Sequence, residues 1–194
     1  MKQTRKFSLL AFSLFILLAF SPASAQQPEQ VERNYEITLN VLIGSNEAGQ
    51  RAELPPHLSS ISRQLKANFS FANYRVVNTF FGRVSNTGNL EYKSVSNILG
   101  QEAEAEAHTF LEWTLAGFRA TPNGFQARTF RFGARIAVRI GKVGEGGLVY
   151  EPIGLTVSLI GFPANTPTLI GNISLPKTTG TIFLVVTIRP VEMQ

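Results

Sequence analysis

The sequence predicts a mainly β (α+β) chain, an antiparallel β-sandwich-like domain of about eight strands with one early amphipathic helix. Three observations predict it. Apolar and polar residues alternate with period two over most of the chain from Tyr35 onward. Clusters of Gly, Asn, Ser and Pro interrupt these runs at turn spacing. Only one stretch, around Leu58 to Leu65, changes to the spacing of a helix face.

The elements follow in order. Tyr35-Glu36-Ile37-Thr38-Leu39-Asn40-Val41 alternates strictly and reads as a half-buried strand. Ser45 to Glu53 is a loop. Leu58, Ile61, Leu65 and Phe69 follow the i, i+3, i+7 rhythm of a helix, and Pro55 and Pro56 stand at the first turn, where a missing N–H costs nothing. Asn73 to Val84 and Leu90 to Ile98 are β-rich, and Ser85-Asn86-Thr87-Gly88 between them predicts a hairpin.

From Ala105 to Ile140 two alternating runs flank Pro122-Asn123-Gly124-Phe125. Asn-Gly favours a two-residue type I′ turn, which would place Leu115 opposite Phe132, Trp113 opposite Ala134 and Glu112 opposite Arg135, with Arg119 facing Arg128 as the one poor pair. Gly141 to Gly147, with four glycines, is a connection. Leu148 to Ile160, Thr168 to Leu175 and Thr181 to Arg189 are three more strands, and the last two would pair Leu175 with Ile182 and Ile173 with Leu184. The expected order is strand, helix, strand, then a meander.

The N-terminus carries Lys2, Arg5 and Lys6, an apolar run from Phe7 to Phe20, and Ala23-Ser24-Ala25. That order describes a secretory signal peptide cut after Ala25, and the 14-residue run is shorter than the ~20 residues of a membrane span. Residues 1–25 are thus read as signal, 26–34 as a flexible leader, and 35–194 as a single β-rich domain. The expected destination is the periplasm or the exterior by the Sec route, with no membrane-spanning segment left after cleavage. Removing 25 of 194 residues leaves 169, which carry 15 Lys+Arg and 13 Glu. The formal +5 of the whole chain falls to about +2.

Composition excludes several chemistries. The chain has no cysteine and no aspartate, so thiol nucleophiles, disulfides and thiolate metal sites are impossible. Its two histidines, His57 and His108, are far apart in sequence, and no G-x-S-x-G elbow or H-E-x-x-H spacing is present. Glu102, Glu104 and Glu106 alternate on one strand face and do not converge on a cation; they read as a charged edge that discourages aggregation. Gly141-Lys142-Val143-Gly144 lacks the G-K-[ST] ending of a phosphate loop. The expectation is no catalytic residue, no metal and no cofactor.

The candidate binding residues are Arg128, Arg131, Arg135, Arg139 and Lys142, which with Arg119 make six positive charges between Glu112 and Glu145 with no acid among them. On a strand they form a ribbon able to pair with acidic surfaces, anionic glycans or lipid headgroups. The plainer reading is a solvated face partly neutralised by Glu106 and Glu112. Export and the small mature charge argue against nucleic acid.

Pro167-Thr168-Leu169-Ile170-Gly171-Asn172-Ile173, then Thr178-Thr179, then Leu184-Val185-Val186-Thr187-Ile188-Arg189-Pro190 resembles the end of the secretin domain of outer-membrane secretion channels, over 24 of the 194 residues. The resemblance implies a cell-envelope protein of the secretion or pilus-assembly kind, working by strand pairing and ring contacts without catalysis. The double-glycine strand of that family is not evident upstream, and its channel activity is not carried over, since there is no room for the usual tandem periplasmic modules.

The functional expectation is an exported, non-enzymatic envelope protein acting through contact with an envelope protein partner, as an accessory of a secretion or pilus system. The alternative is a binding module for an anionic glycan or lipid. A small outer-membrane barrel is disfavoured by the helix near Leu58 and by Pro163 and Pro167, which break the alternation.

Overall fold

The computed structural model describes residues 33–46, 53–96, 108–140, 147–175 and 180–191. The expected signal peptide, residues 1–25, and residues 26–32 of the expected leader lie outside the described residues. Asn34, placed in the leader by the sequence, pairs with Ser85 and accepts a hydrogen bond from the Val191 amide at 2.9 Å.

The first sheet holds β1 (Asn34–Ser45), β2 (Asn73–Ser85), β8 (Thr168–Ser174) and β9 (Thr181–Pro190), in the antiparallel order β2-β1-β9-β8. Between β1 and β2 the chain makes a 3-10 turn (Pro56–Leu58) and the helix α1 (Ser59–Asn68). Leu58, Ile61 and Leu65 are buried, as their spacing predicts, against Leu42, Tyr74, Phe183 and Val185 of the sheet. Phe69 ends the helix by donating its N–H to the Leu65 carbonyl at 2.9 Å, and its ring meets Phe183 edge-on at 4.7 Å. The helix covers one face of this sheet and the second sheet covers the other. That double burial explains why Thr181 to Ile188 is buried at every position, with no alternation.

The second sheet holds β3 (Leu90–Ser96), β4 (Thr109–Ala116), β5 (Arg119–Thr121), β6 (Gly124–Arg139) and β7 (Leu148–Phe162). Its order is β3-β4-β6-β7, with β5 continuing the line of β4 along β6. Leu111, Trp113, Leu115, Phe130 and Phe132 from this sheet meet Ile37, Leu39, Val41, Phe80, Leu184 and Val186 from the first. Each fully buried large side chain of that kind contributes about 1.5–3 kcal/mol. The expected antiparallel β-sandwich with one early helix is therefore the fold, and the strand–helix–strand opening and the following meander are both present.

Three local expectations are corrected. Asn73–Ser85 and Leu90–Ser96 do not form a hairpin; the turn whose Gly88 N–H donates to Ser85 O carries the chain from one sheet to the other. In the β5–β6 turn Thr121 faces Gly124, so Pro122 and Asn123 are the central pair. The proline ring holds φ negative at the first central position, which a type I′ turn forbids and a type I turn favours. Every partner moves by two residues, so Trp113 faces Phe132, Leu115 faces Phe130 and Glu112 faces Gly133. A two-residue shift keeps each side chain on its face, so the apolar set stays inside. Arg119 now faces Gln126 and donates to its side-chain oxygen at 2.9 Å, which removes the repulsive arginine pair. The β8–β9 hairpin is likewise tighter by two residues, with Ile173 facing Ile182 and a bulge at Ile170.

The strand count rises to nine among the described residues because Gly117 splits the expected fourth strand. Gly117 and Leu159 both have positive φ, +63° and +54°, and they stand on either side of Arg128. A left-handed residue swaps the two faces of a strand. Inward positions are Leu115, Phe130 and Val157 on one side of this crease, and Phe118, Ala127 and Ile160 on the other. All three strands switch together, so the register is the same before and after. Beyond the crease, Phe118 and Phe125 stack at 5.6 Å and enclose Tyr35 of β1, at 5.4 and 4.9 Å.

Candidate functional site

The outward face of the second sheet follows from its register. One row runs Val95, Phe110, Arg135 and Pro152 across β3, β4, β6 and β7; the next runs Lys93, Glu112, Gly133 and Gly154; the third runs Glu91, Thr114, Arg131 and Thr156. Gly133 and Gly154 stand side by side in the middle row and add no side chain of their own to it. An open depression of about 490 Å³ lies across the first two rows, lined by Lys93, Val95, Phe110, Glu112, Gly133, Arg135 and Pro152 among others. The Glu112 side chain leans over Gly133, so that a β-carbon there would lie 3.2 Å from its Oε1.

Arg131 and Arg135 are both exposed on this face, one row to each side of Gly133. The expected Glu112–Arg135 cross-strand pair does not form, since the register places both arginines diagonal to Glu112. Among the described residues neither arginine makes an ion pair. Of the acids of the face, Glu91 is engaged by a lysine, while the Glu112 side chain lies over Gly133. Glu91 pairs with Lys93 at 2.7 Å, and the Lys93 hydrogen bond and charge hold the Glu91 carboxyl below the ordinary glutamate value. Lys93 is raised in turn by Glu91 and, more weakly, by Glu112.

Arg128 is exposed at the crease, where its N–H donates to the Gly117 carbonyl at 3.3 Å, so it is set apart from Arg131 and Arg135. Arg139 ends β6 opposite Leu148, and nothing of its side chain is described. Lys142 and Glu102, Glu104 and Glu106 lie outside the described residues, as does most of the glycine-rich connection, whose base is closed by Ile140 N–H donating to Gly147 O at 3.0 Å. His57 is exposed in the 3-10 turn and His108 is exposed before β4. Among the described residues no three metal-capable side chains are grouped, and no helix is long and apolar enough to cross a membrane.

The sequence reading overlooked the apolar part of this face. Phe110 is 44% exposed, Val95 58% and Tyr150 41%, and the Phe110 and Tyr150 rings meet edge-on at 5.5 Å. The signal was present: Phe110 is a large apolar residue on the polar phase of its own strand, between Thr109 and Leu111.

No family model matches the sequence, and no curated protein matches it. Among solved structures, the chain is similar to the secretin InvG of the Salmonella SPI-1 type III secretion injectisome in its open gate state, with 12% identity over 96% of this chain and a TM-score of 0.36. The chain spans 66% of the length of that one, and a similarity at this level does not establish a common fold.

Proposed function

We propose that this chain is an exported, non-enzymatic envelope protein that works by protein–protein contact through the outward face of its second sheet. The observation that carries the reading is the joint exposure of Phe110, Val95 and Tyr150 beside Arg131 and Arg135 on one continuous face. Single exposed apolar residues are ordinary, but aromatic side chains grouped with arginine are the composition that interfaces favour. The first sheet offers no equal, because its outer face receives the helix. The C-terminal segment that resembles the secretin domain directs the search for the partner to secretion or pilus machinery.

The test is co-purification from envelope extracts. An envelope partner should be retained by the unmodified chain and released when Arg131, Arg135 and Arg139 are replaced by glutamate. Retention by the triple variant would count against the reading. A second reading, a module for an anionic glycan or lipid headgroup, draws on the same two unpaired guanidiniums; it predicts a thermal shift with polyuronate or with anionic vesicles and no protein partner.

A further inference from the structure

We infer that Pro152 guards the free edge of β7 against pairing with a second copy of this chain. One hydrogen bond fixes the direction of the backbone groups on β7. Ile140 N–H donates to Gly147 O at 3.0 Å, so Gly147 turns toward β6. Successive residues of a strand point to opposite edges, and the β6–β7 register runs without a break from Leu148 to Ser158, so Val149, Glu151, Ile153, Leu155 and Val157 turn toward β6 as well. Leu148, Tyr150, Pro152, Gly154, Thr156 and Ser158 therefore aim their backbone groups away from β6. No strand among the described residues pairs with that side.

An open edge of this composition is a template for association. From Pro152 to Phe162 the strand carries no charged side chain, and Ile153, Leu155 and Val157 are apolar. A second copy is the occupant that fits, because β7 turned about a two-fold axis presents the same uncharged edge to itself in antiparallel fashion. The other sheet edges are each interrupted. β3 bears the Glu91–Lys93 ion pair, β2 is bulged at Val77 and β8 at Ile170. On β7 the interruptions are Pro152 and Leu159. At Pro152 a ring carbon stands where the outward N–H would be, so an approaching carbonyl finds no donor and meets the ring. At Leu159 the left-handed backbone reverses the phase, so a straight partner strand cannot continue past Ser158. A donor restored at position 152 would join Leu148 and Tyr150 to Gly154, Thr156 and Ser158 in one unbroken ladder.

Amide hydrogen exchange, followed residue by residue, tests this on the unmodified chain and on Pro152→Val. In the unmodified chain the Gly154 and Thr156 amides should exchange fast at every protein concentration, while the Ile153 and Leu155 amides, turned toward β6, are protected. Pro152→Val should form a concentration-dependent dimer by sedimentation, in which the Gly154 and Thr156 amides slow by about tenfold or more. Adding Ser158→Lys to Pro152→Val should remove that dimer and return both amides to fast exchange, which a misfolded variant would not do. Pro152→Thr restores the same donor should the valine variant fail to fold. Protection of Gly154 and Thr156 in the unmodified chain would mean that the edge is already taken, and would overturn the inference. A folded Pro152→Val chain whose two amides stay fast at high concentration, or a dimer whose newly protected amides lie on another strand, would overturn it equally.

Discussion

Gly117 and Leu159 hold left-handed backbone on the two strands that flank Arg128, and the crease they make divides the second sheet into two halves with opposite side-chain phase. The glycine suits this conformation and the leucine does not. Leu159 is 71% exposed, so it has little packing to compensate for the strain. Asn89 reinforces the other flank, its Oδ1 accepting the Gly117 N–H at 2.7 Å.

Leu159→Gly is therefore expected to stabilise the protein by about 0.5–1 kcal/mol, the relief of left-handed strain less the added freedom of the unfolded chain. Gly117→Ala should do the opposite and cost about 2 kcal/mol or more, because its β-carbon would also lie 2.7 Å from that of Arg128. Urea midpoints of the two variants check the pair. A destabilised Leu159→Gly would mean that this leucine has a packing role the crease does not explain.

The crease also marks the limit of what the sequence made legible. Alternation located the strands and their buried faces, and helical spacing located Leu58, Ile61 and Leu65, because period is a local property. Pairing is not local. The type I′ expectation rested on Asn123-Gly124 and overlooked that Pro122 fixes φ before it. The Ser85–Gly88 turn looks the same whether it closes a hairpin or carries the chain to another sheet. Of the basic residues expected together, Arg131 and Arg135 share this face while Arg128 stands apart at the crease, and the place of Phe110, Val95 and Tyr150 beside them needed the register.

The helix layer gives a pH-dependent signature. Tyr74 is buried, and its one hydroxyl proton is shared between the Leu65 and Phe69 carbonyls, at 3.1 and 3.0 Å from its oxygen. Burial raises its pKa above the ordinary tyrosine value of 10.0. The folded state thus keeps a proton that the unfolded state has lost. The contribution is fully present below the unfolded pKa and disappears as pH rises through the folded one. Stability should fall from about pH 10 upward, and Tyr74→Phe should flatten that fall while costing about 1 kcal/mol at neutral pH. Chemical denaturation across alkaline pH checks it.

Substitutions should separate structure from contact. Leu65→Ala opens a cavity between the helix and the first sheet and should cost about 2–5 kcal/mol. Arg131→Glu, Arg135→Glu and Phe110→Ser lie on the exposed face and should each stay within about 0.5 kcal/mol of the unmodified protein. Thermal unfolding of the four variants compares them directly.

The contact face itself is tested most directly by photocrosslinking in the envelope, with p-benzoylphenylalanine placed either at Phe110 on the second sheet or at Phe81, 55% exposed on β2 of the first. The account predicts a discrete adduct from position 110, none of that mass from position 81, and loss of the adduct when Arg131→Glu and Arg135→Glu are added. The same adduct from both positions, or one that survives the charge reversal, would contradict it.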